Sequence, residues 1–155
     1  MQKDFPFIHI LLYIFLALAM VGLADSAYLT NAYYTGSPLS CETIPGCNEV
    51  AKSPYTQIAG VSLPVLGVIY YTFTIFNALL YLFRRTTYAA TLLAYLTTLG
   101  FFVSAYFTYV QVELIKAVCI YCMSSAVIAT ILFGIGTFIR KHHLEYHDGQ
   151  MGDIV

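Results

Sequence analysis

The sequence predicts an all-α integral membrane protein: a bundle of four transmembrane helices with a long outer loop between the first and the second. Three observations lead there. Of 155 residues, 59% are hydrophobic and only 10% charged, where a soluble domain carries roughly 25% charged residues. Mean hydropathy is +0.75, which excludes a disordered chain as well. The few charges leave four long gaps, between Asp4 and Asp25, Lys52 and Arg84, Arg85 and Glu113, and Lys116 and Arg140. Each gap holds the about 20 apolar residues that a helix needs to cross the hydrocarbon core. The length argues for one domain over residues 1–155. A net charge of −1 leaves no basic footprint for nucleic acid.

The first gap predicts a span over 7–30. Ala24-Asp25-Ser26 within it resembles a small-x-small cleavage site. The apolar run is longer than a signal-peptide core, however, and the segment before it is not clearly basic. The stretch 32–61 carries Gly36, Pro38, Pro45, Gly46, Pro54 and Gly60, the punctuation of a loop rather than of a span. The next spans are expected over 62–83 and 88–111, joined at Arg84-Arg85, and the fourth over 117–139 after a short turn at 112–117. Five of the seven Lys and Arg residues, Lys3, Arg84, Arg85, Arg140 and Lys141, fall on one side of a four-span chain. Only Lys52 and Lys116 fall on the other. The positive side is cytoplasmic, so both termini are expected inside and the long loop outside. Small residues recur along the spans: Gly67, Tyr71 and Thr74; Gly100, Ser104 and Thr108; Ser125, Ala126, Ala129 and Gly134. Such stripes suit close helix packing in lipid, and they equally leave room for a flat ligand.

All four cysteines fall on the expected outer side, where disulfides persist. Cys119-Ile120-Tyr121-Cys122 is a Cys-x-x-Cys at a helix start. Residues i and i+3 share a face about 5–6 Å apart, within disulfide reach. Free N–H groups and the helix dipole favour a thiolate there, and Lys116 is expected to act in the same direction. Cys41 and Cys47 flank a tight Pro45-Gly46 turn. A crosslink closing so small a loop stabilises little, so this pair serves better as a reversible couple than as a clamp, though a staple has the same spacing. Four cysteines allow three pairings. A four-cysteine zinc site is the metal alternative, disfavoured by the oxidising side. His142, His143 and His147 read as a solvated cytoplasmic tail.

Gly22 to Thr30 (GLADSAYLT), Cys41 with Cys47, Ser53-Pro54-Tyr55, Gly60 to Tyr71 (GVSLPVLGVIYY) and Cys119-x-x-Cys122 stand in one order over about residues 10–135. In these parts together the chain resembles the vitamin K epoxide reductase family, in its prokaryotic, disulfide-generating form. The resemblance implies a four-helix bundle around a quinone of the ubiquinone or menaquinone type, in the inner membrane of a prokaryote. It implies that Cys119 and Cys122 are the active-site pair, with Cys122 nearer the quinone. Cys41 and Cys47 become the shuttle pair, Cys41 facing a thioredoxin-like partner and Cys47 exchanging with Cys119. Ser53 matches the family's loop serine, a position that a turn residue before Pro54 would also fill. The quinone pocket would include Leu63, Leu66, Ala126 and Asp25. Animal members contact the vitamin K ring through an Asn and a Tyr where this chain has Leu63 and Ala126, so quinone reduction with little or no epoxide reduction is expected. Some prokaryotic members carry a fused thioredoxin-like domain; this chain has none, so a separate partner is expected. Asp25 is a carboxylate within a span, a functional position by default, or else a charge at the interface. The rival readings are a scaffold whose disulfides only staple its loop, and a convergent quinone-linked thiol oxidase with another helix order.

Overall fold

The computed structural model of the chain describes residues 5–36, 46–58 and 60–152. In chain order it contains α1 (Phe5–Thr35), a short α2 (Cys47–Lys52), a 3-10 turn (Pro54–Thr56), strands β1 (Gln57–Ile58) and β2 (Val61–Ser62), α3 (Leu63–Arg84), α4 (Thr87–Tyr109), a π-helical segment (Val110–Ile115) and α5 (Ile120–Gly152). Four stretches are long and apolar enough to cross a membrane: Phe7–Thr35, Leu63–Arg84, Thr87–Ile115 and Ile120–Glu145. The four-helix membrane class predicted from the charge gaps is therefore the observed one.

Boundaries differ from those expected, for one reason. Gaps between charges mark where lipid must be, whereas a helix runs on wherever its backbone bonds can still close. α1 continues past residue 30 to Thr35, and α5 continues past 139 to Gly152. The fourth helix starts at Ile120 rather than 117, because Cys119 is its N-cap: the Cys119 carbonyl accepts the first helical bond, from Met123 N–H, at 3.0 Å. For His143 the expected solvated tail is corrected. α5 carries His143 over the α3–α4 turn, where its ring nitrogens lie 3.3 Å from Tyr81 Oη and 3.2 Å from Thr87 Oγ1.

The four long helices form a ring in the order α1, α3, α4, α5, with α5 closing back on α1. Their outward faces carry large apolar side chains such as Phe73, Phe76, Phe102 and Val127. In water this would be an aggregating surface; in lipid it matches the solvent, and association rests on packing and interhelical bonds. Leu12, Phe15, Leu93, Leu132 and Ile139 fill the core. Asn77 Nδ2 donates to the Ala89 carbonyl at 3.0 Å, tying α3 to the start of α4. Thr86 caps α4 by accepting the Ala89 N–H.

Glycines set the closest approaches. A Cβ on Gly22 would lie 2.3 Å from the Tyr71 ring, and one on Gly67 would lie 2.7 Å from Ser26 Oγ. A Cβ on Gly100 would lie 2.1 Å from Tyr70 Oη. Two of the expected small-residue stripes thus mark helix contacts. Gly134 does not, since nothing lies within 4 Å of its Cβ position.

Beyond α1, the chain folds back over the end of the bundle. Cys47 and Val50 pack with Ala32, Ala117 and Cys119 in a second buried cluster, and β1 pairs antiparallel with β2, Ile58 opposite Val61. Gly46 sits against the backbone of Val118, where a Cβ would come within 2.7 Å of the carbonyl oxygen.

Tyr71 is 1% exposed and tied to Ser125 Oγ at 2.9 Å, so its ring can yield only by giving up that bond. Gly22→Ala should destabilise the protein by about 1–3 kcal/mol through overpacking. Gly134→Ala should be neutral or stabilising by up to about 1 kcal/mol. Thermal unfolding of both variants in detergent micelles checks the pair; equal effects would contradict the packing described.

Candidate functional site

The site lies where the returning loop meets the helix ends. A cavity of about 800 Å³ is lined from all four long helices and from the loop. Cys47, Cys119 and Cys122 all border it. Cys119 and Cys122 are free thiols, and Cys47 is disulfide-bonded. Cys41 lies outside the described residues. Cys47 and Cys119 are buried, 1% and 2% exposed, in the same cluster, so the loop brings its cysteine beside the Cys-x-x-Cys.

The start of α5 explains the chemistry of this pair. With Cys119 at the N-cap, Cys122 is the third helical residue. An N-cap side chain accepts N–H groups of the first turn. The Cys119 sulfur takes the Cys122 thiol proton as a hydrogen bond and also accepts the backbone N–H groups of Cys122 and Tyr121. These bonds, the Cys122 thiol first, lower Cys119 to about 7, against burial and the nearby Asp25 carboxylate, which raise it. Cys119 is thus the more acidic thiol of the pair. Lys116, expected to assist, does not act on Cys119: it is exposed, in a left-handed turn with φ 55°. The donors are local amides and a thiol rather than a cation.

The remaining expected residues divide. Asp25, Ser53, Leu63 and Leu66 line the cavity. Asp25 Oδ2 and Ser53 Oγ are buried with no hydrogen-bond partner among the described residues. Ser53 also does the turn work: its N–H donates to Val50 O at 3.1 Å, and its carbonyl accepts Thr56 N–H and Oγ1 at 3.2 and 2.6 Å. Ala126 is not a lining residue, which corrects the expectation for α5. Ser125, one position earlier, turns to the cavity instead, because a step of one residue rotates a helical side chain by about 100°.

Sequence reasoning missed Gln111 and Tyr70, both in the lining. The available signal for Gln111 was an amide at the end of a charge-free run. For Tyr70 it was the facing glycine, Gly100. The stripe Gly100, Ser104 and Thr108 does border the cavity, so small side chains on α4 make its volume. Among the described residues, no three His, Cys, Asp or Glu side chains converge as metal ligands.

The donor set suits a flat, mostly apolar acceptor such as a quinone. The volume falls in the range of small-molecule pockets, roughly 300–1,000 Å³. The walls are largely aliphatic and aromatic, with Leu66, Val103 and Phe107 among them, and the polar groups are few. Gln111 supplies an amide, Ser53 a hydroxyl and Asp25 a carboxyl group. Such a ring needs little more than an apolar slot and a few donors at its two oxygens.

Comparison with known proteins agrees with this architecture. The sequence profile of the vitamin K epoxide reductase family matches residues 13–137, which includes α1 from its third turn, the loop, and most of α5. A protein of Arabidopsis thaliana described as thiol-disulfide oxidoreductase LTO1 is 34% identical over 120 residues. That match covers 72% of this chain and 32% of the plant protein, so the chain spans about a third of that relative's length. With four membrane-spanning helices, a Cys-x-x-Cys at the cavity and a loop cysteine beside it, the chain belongs to the vitamin K epoxide reductase family.

Proposed function

We propose that the chain is a membrane thiol oxidoreductase that draws two electrons from a thioredoxin-like partner and delivers them to a membrane quinone. The electrons would pass through Cys41 and Cys47 and then Cys119 and Cys122, generating disulfides on the outer side. The observation that carries this reading is a reduced Cys-x-x-Cys opening onto a largely apolar cavity, with a disulfide-bonded cysteine in the same buried cluster. The thiol-disulfide oxidoreductase among its relatives points the same way.

The chain's own residues supply the steps. A partner dithiol reduces the loop disulfide by thiolate attack on Cys41, and the partner leaves oxidised. The Cys47 thiolate then attacks an oxidised Cys119–Cys122 bond at Cys119, and Cys41 resolves the mixed disulfide. This leaves Cys119 and Cys122 reduced and the loop pair oxidised. A bound quinone supplies the two-electron sink. As Cys119 and Cys122 close to a disulfide, they give up two electrons and two protons. Both protons go with the electrons to the acceptor, one of them relayed by Asp25; Ser53 and Gln111 orient the acceptor, and the aliphatic walls exclude water. The absence of a hydrogen-bonding side chain at Leu63 argues against epoxide reduction.

Reduction of a short-chain quinone by the purified protein, with a reduced thioredoxin-like protein as donor, tests the reading. Catalytic, quinone-dependent donor oxidation is expected; none at all would overturn it and favour a scaffold stapled by disulfides. Cys119→Ser or Cys122→Ser should abolish oxidation of every donor. Cys41→Ser or Cys47→Ser should abolish oxidation of the folded partner yet retain some turnover of a small dithiol, which reaches Cys119 directly. Full activity of the loop variants with the protein donor would reduce Cys41 and Cys47 to a clamp.

The orientation follows from the Lys and Arg bias and the even span count. A variant retaining only Cys41 should react with a membrane-impermeant maleimide added outside sealed right-side-out vesicles. Reaction only from the cytoplasmic side would reverse the topology.

A further inference from the structure

We propose that Gln111 is a positioning residue for the redox pair: its side-chain carbonyl grips the Cys119 amide and so holds the turn in which the Cys119 sulfur caps α5. The proposal rests on Cys119 and Cys122 being the redox pair. Gln111 is 4% exposed, and its Oε1 accepts the Cys119 N–H at 3.1 Å. Its backbone carbonyl accepts the N–H groups of Lys116 and of Ala117, the latter at 3.2 Å. One residue therefore takes three of the four amides between the π-helical segment and α5.

The need for such a grip is visible in the cap itself. In a capping box, the N-cap side chain accepts the N–H of the third helical residue, and that residue's Glu or Gln reaches back to the N-cap N–H. Here the sulfur of Cys119 stands in the N-cap side chain's place, and the Cys122 and Tyr121 amides help to acidify it. The second half is missing, because the third helical residue is Cys122, whose thiol proton goes to Cys119. The N-cap N–H would be left buried without an acceptor, which is costly. Gln111 supplies the missing acceptor from the neighbouring helix.

The local backbone is built around this bond. The π-helical segment Val110–Ile115 departs from the α-helical ladder; such bulges shift side-chain directions and concentrate at functional sites. Lys116 adopts φ 55°, a left-handed conformation that is strained for a non-glycine residue. Both departures reverse the chain within a few residues and bring Gln111 under Cys119. With Oε1 committed to the Cys119 amide, the remaining Nε2 group is fixed as a donor on a cavity-lining residue. Glu113, two positions on, is exposed and offers no substitute.

The test needs neither quinone nor partner. In the reduced protein, alkylation of Cys119 by iodoacetamide, read by mass spectrometry, rises with pH because the thiolate is the reactive form. Its midpoint should lie near the about 7 of the bonded thiol. Gln111→Leu removes the acceptor with little change in volume. The midpoint should rise by about one pH unit or more, with alkylation at pH 7 slowed about fivefold, and the Cys119 amide should lose hydrogen-exchange protection. Gln111→Glu keeps an acceptor, so protection should remain. It also serves if the leucine variant does not fold. An unchanged midpoint in Gln111→Leu, with or without loss of protection, would overturn the proposal, as would loss of Cys119 protection in folded Gln111→Glu. A positive result without quinone-dependent oxidation would sink the proposed function alone.

Discussion

Everything at the site depends on one close contact: the returning loop laid on the turn that precedes α5. Gly46 rests on the Val118 backbone with no space for a side chain between them. On either side of that contact, Cys47 and Val50 interlock with Ala117 and Cys119. Burying these few side chains stabilises the apposition by about 25 cal/mol per Å² of apolar surface. The cluster is small, so the loop is held by shape more than by area. That footing suits the exchange with Cys119 proposed for Cys47. A large hydrophobic seal would bury it permanently.

The bilayer imposes the second constraint. Within lipid a backbone polar group must find a partner inside the protein, and irregular chain is tolerated only when buried in protein or lining a cavity. The segment 116–119 is irregular chain between two spans and beside the cavity, and Gln111 takes three of its four amides. The loop then covers it. The cavity beneath arises from the same economy of space. Gly67 and Gly100 let Ser26 and Tyr70 approach backbone that larger residues would occupy, while the far half of the bundle is filled by Leu12, Phe15, Leu93 and Leu132. One end of the ring is packed solid and the other is hollow.

The redox pair gains its asymmetry from that setting. Cys119, at the N-cap, receives a thiol hydrogen bond and two backbone amides, and its thiol is acidified to about 7. Cys122 gives its proton into that arrangement and borders the cavity. Two identical side chains three residues apart thus differ in acidity, although both border the cavity. A helix terminus alone shifts a thiol modestly; the donor thiol completes the effect.

The sequence by itself determined the class and the cast. Four charge-free runs admit only spanning helices, because hydrocarbon excludes both charge and unpaired backbone. Cysteine order and spacing pointed to a relay, and the order of motifs pointed to the family. The helices run past the expected spans, to Thr35 and Gly152, since charge reports where lipid stops and not where hydrogen bonding stops. Only the tertiary structure decided which residues share the cavity. It turned Ser125 inward and Ala126 away, a difference of one helical step that no composition records. It replaced Lys116 by the Cys122 thiol and local amides as the source of Cys119 acidity, with that lysine exposed in a left-handed turn. It also brought Gln111 onto Cys119 across eight residues, since a π-helical segment breaks the periodicity on which sequence reasoning depends.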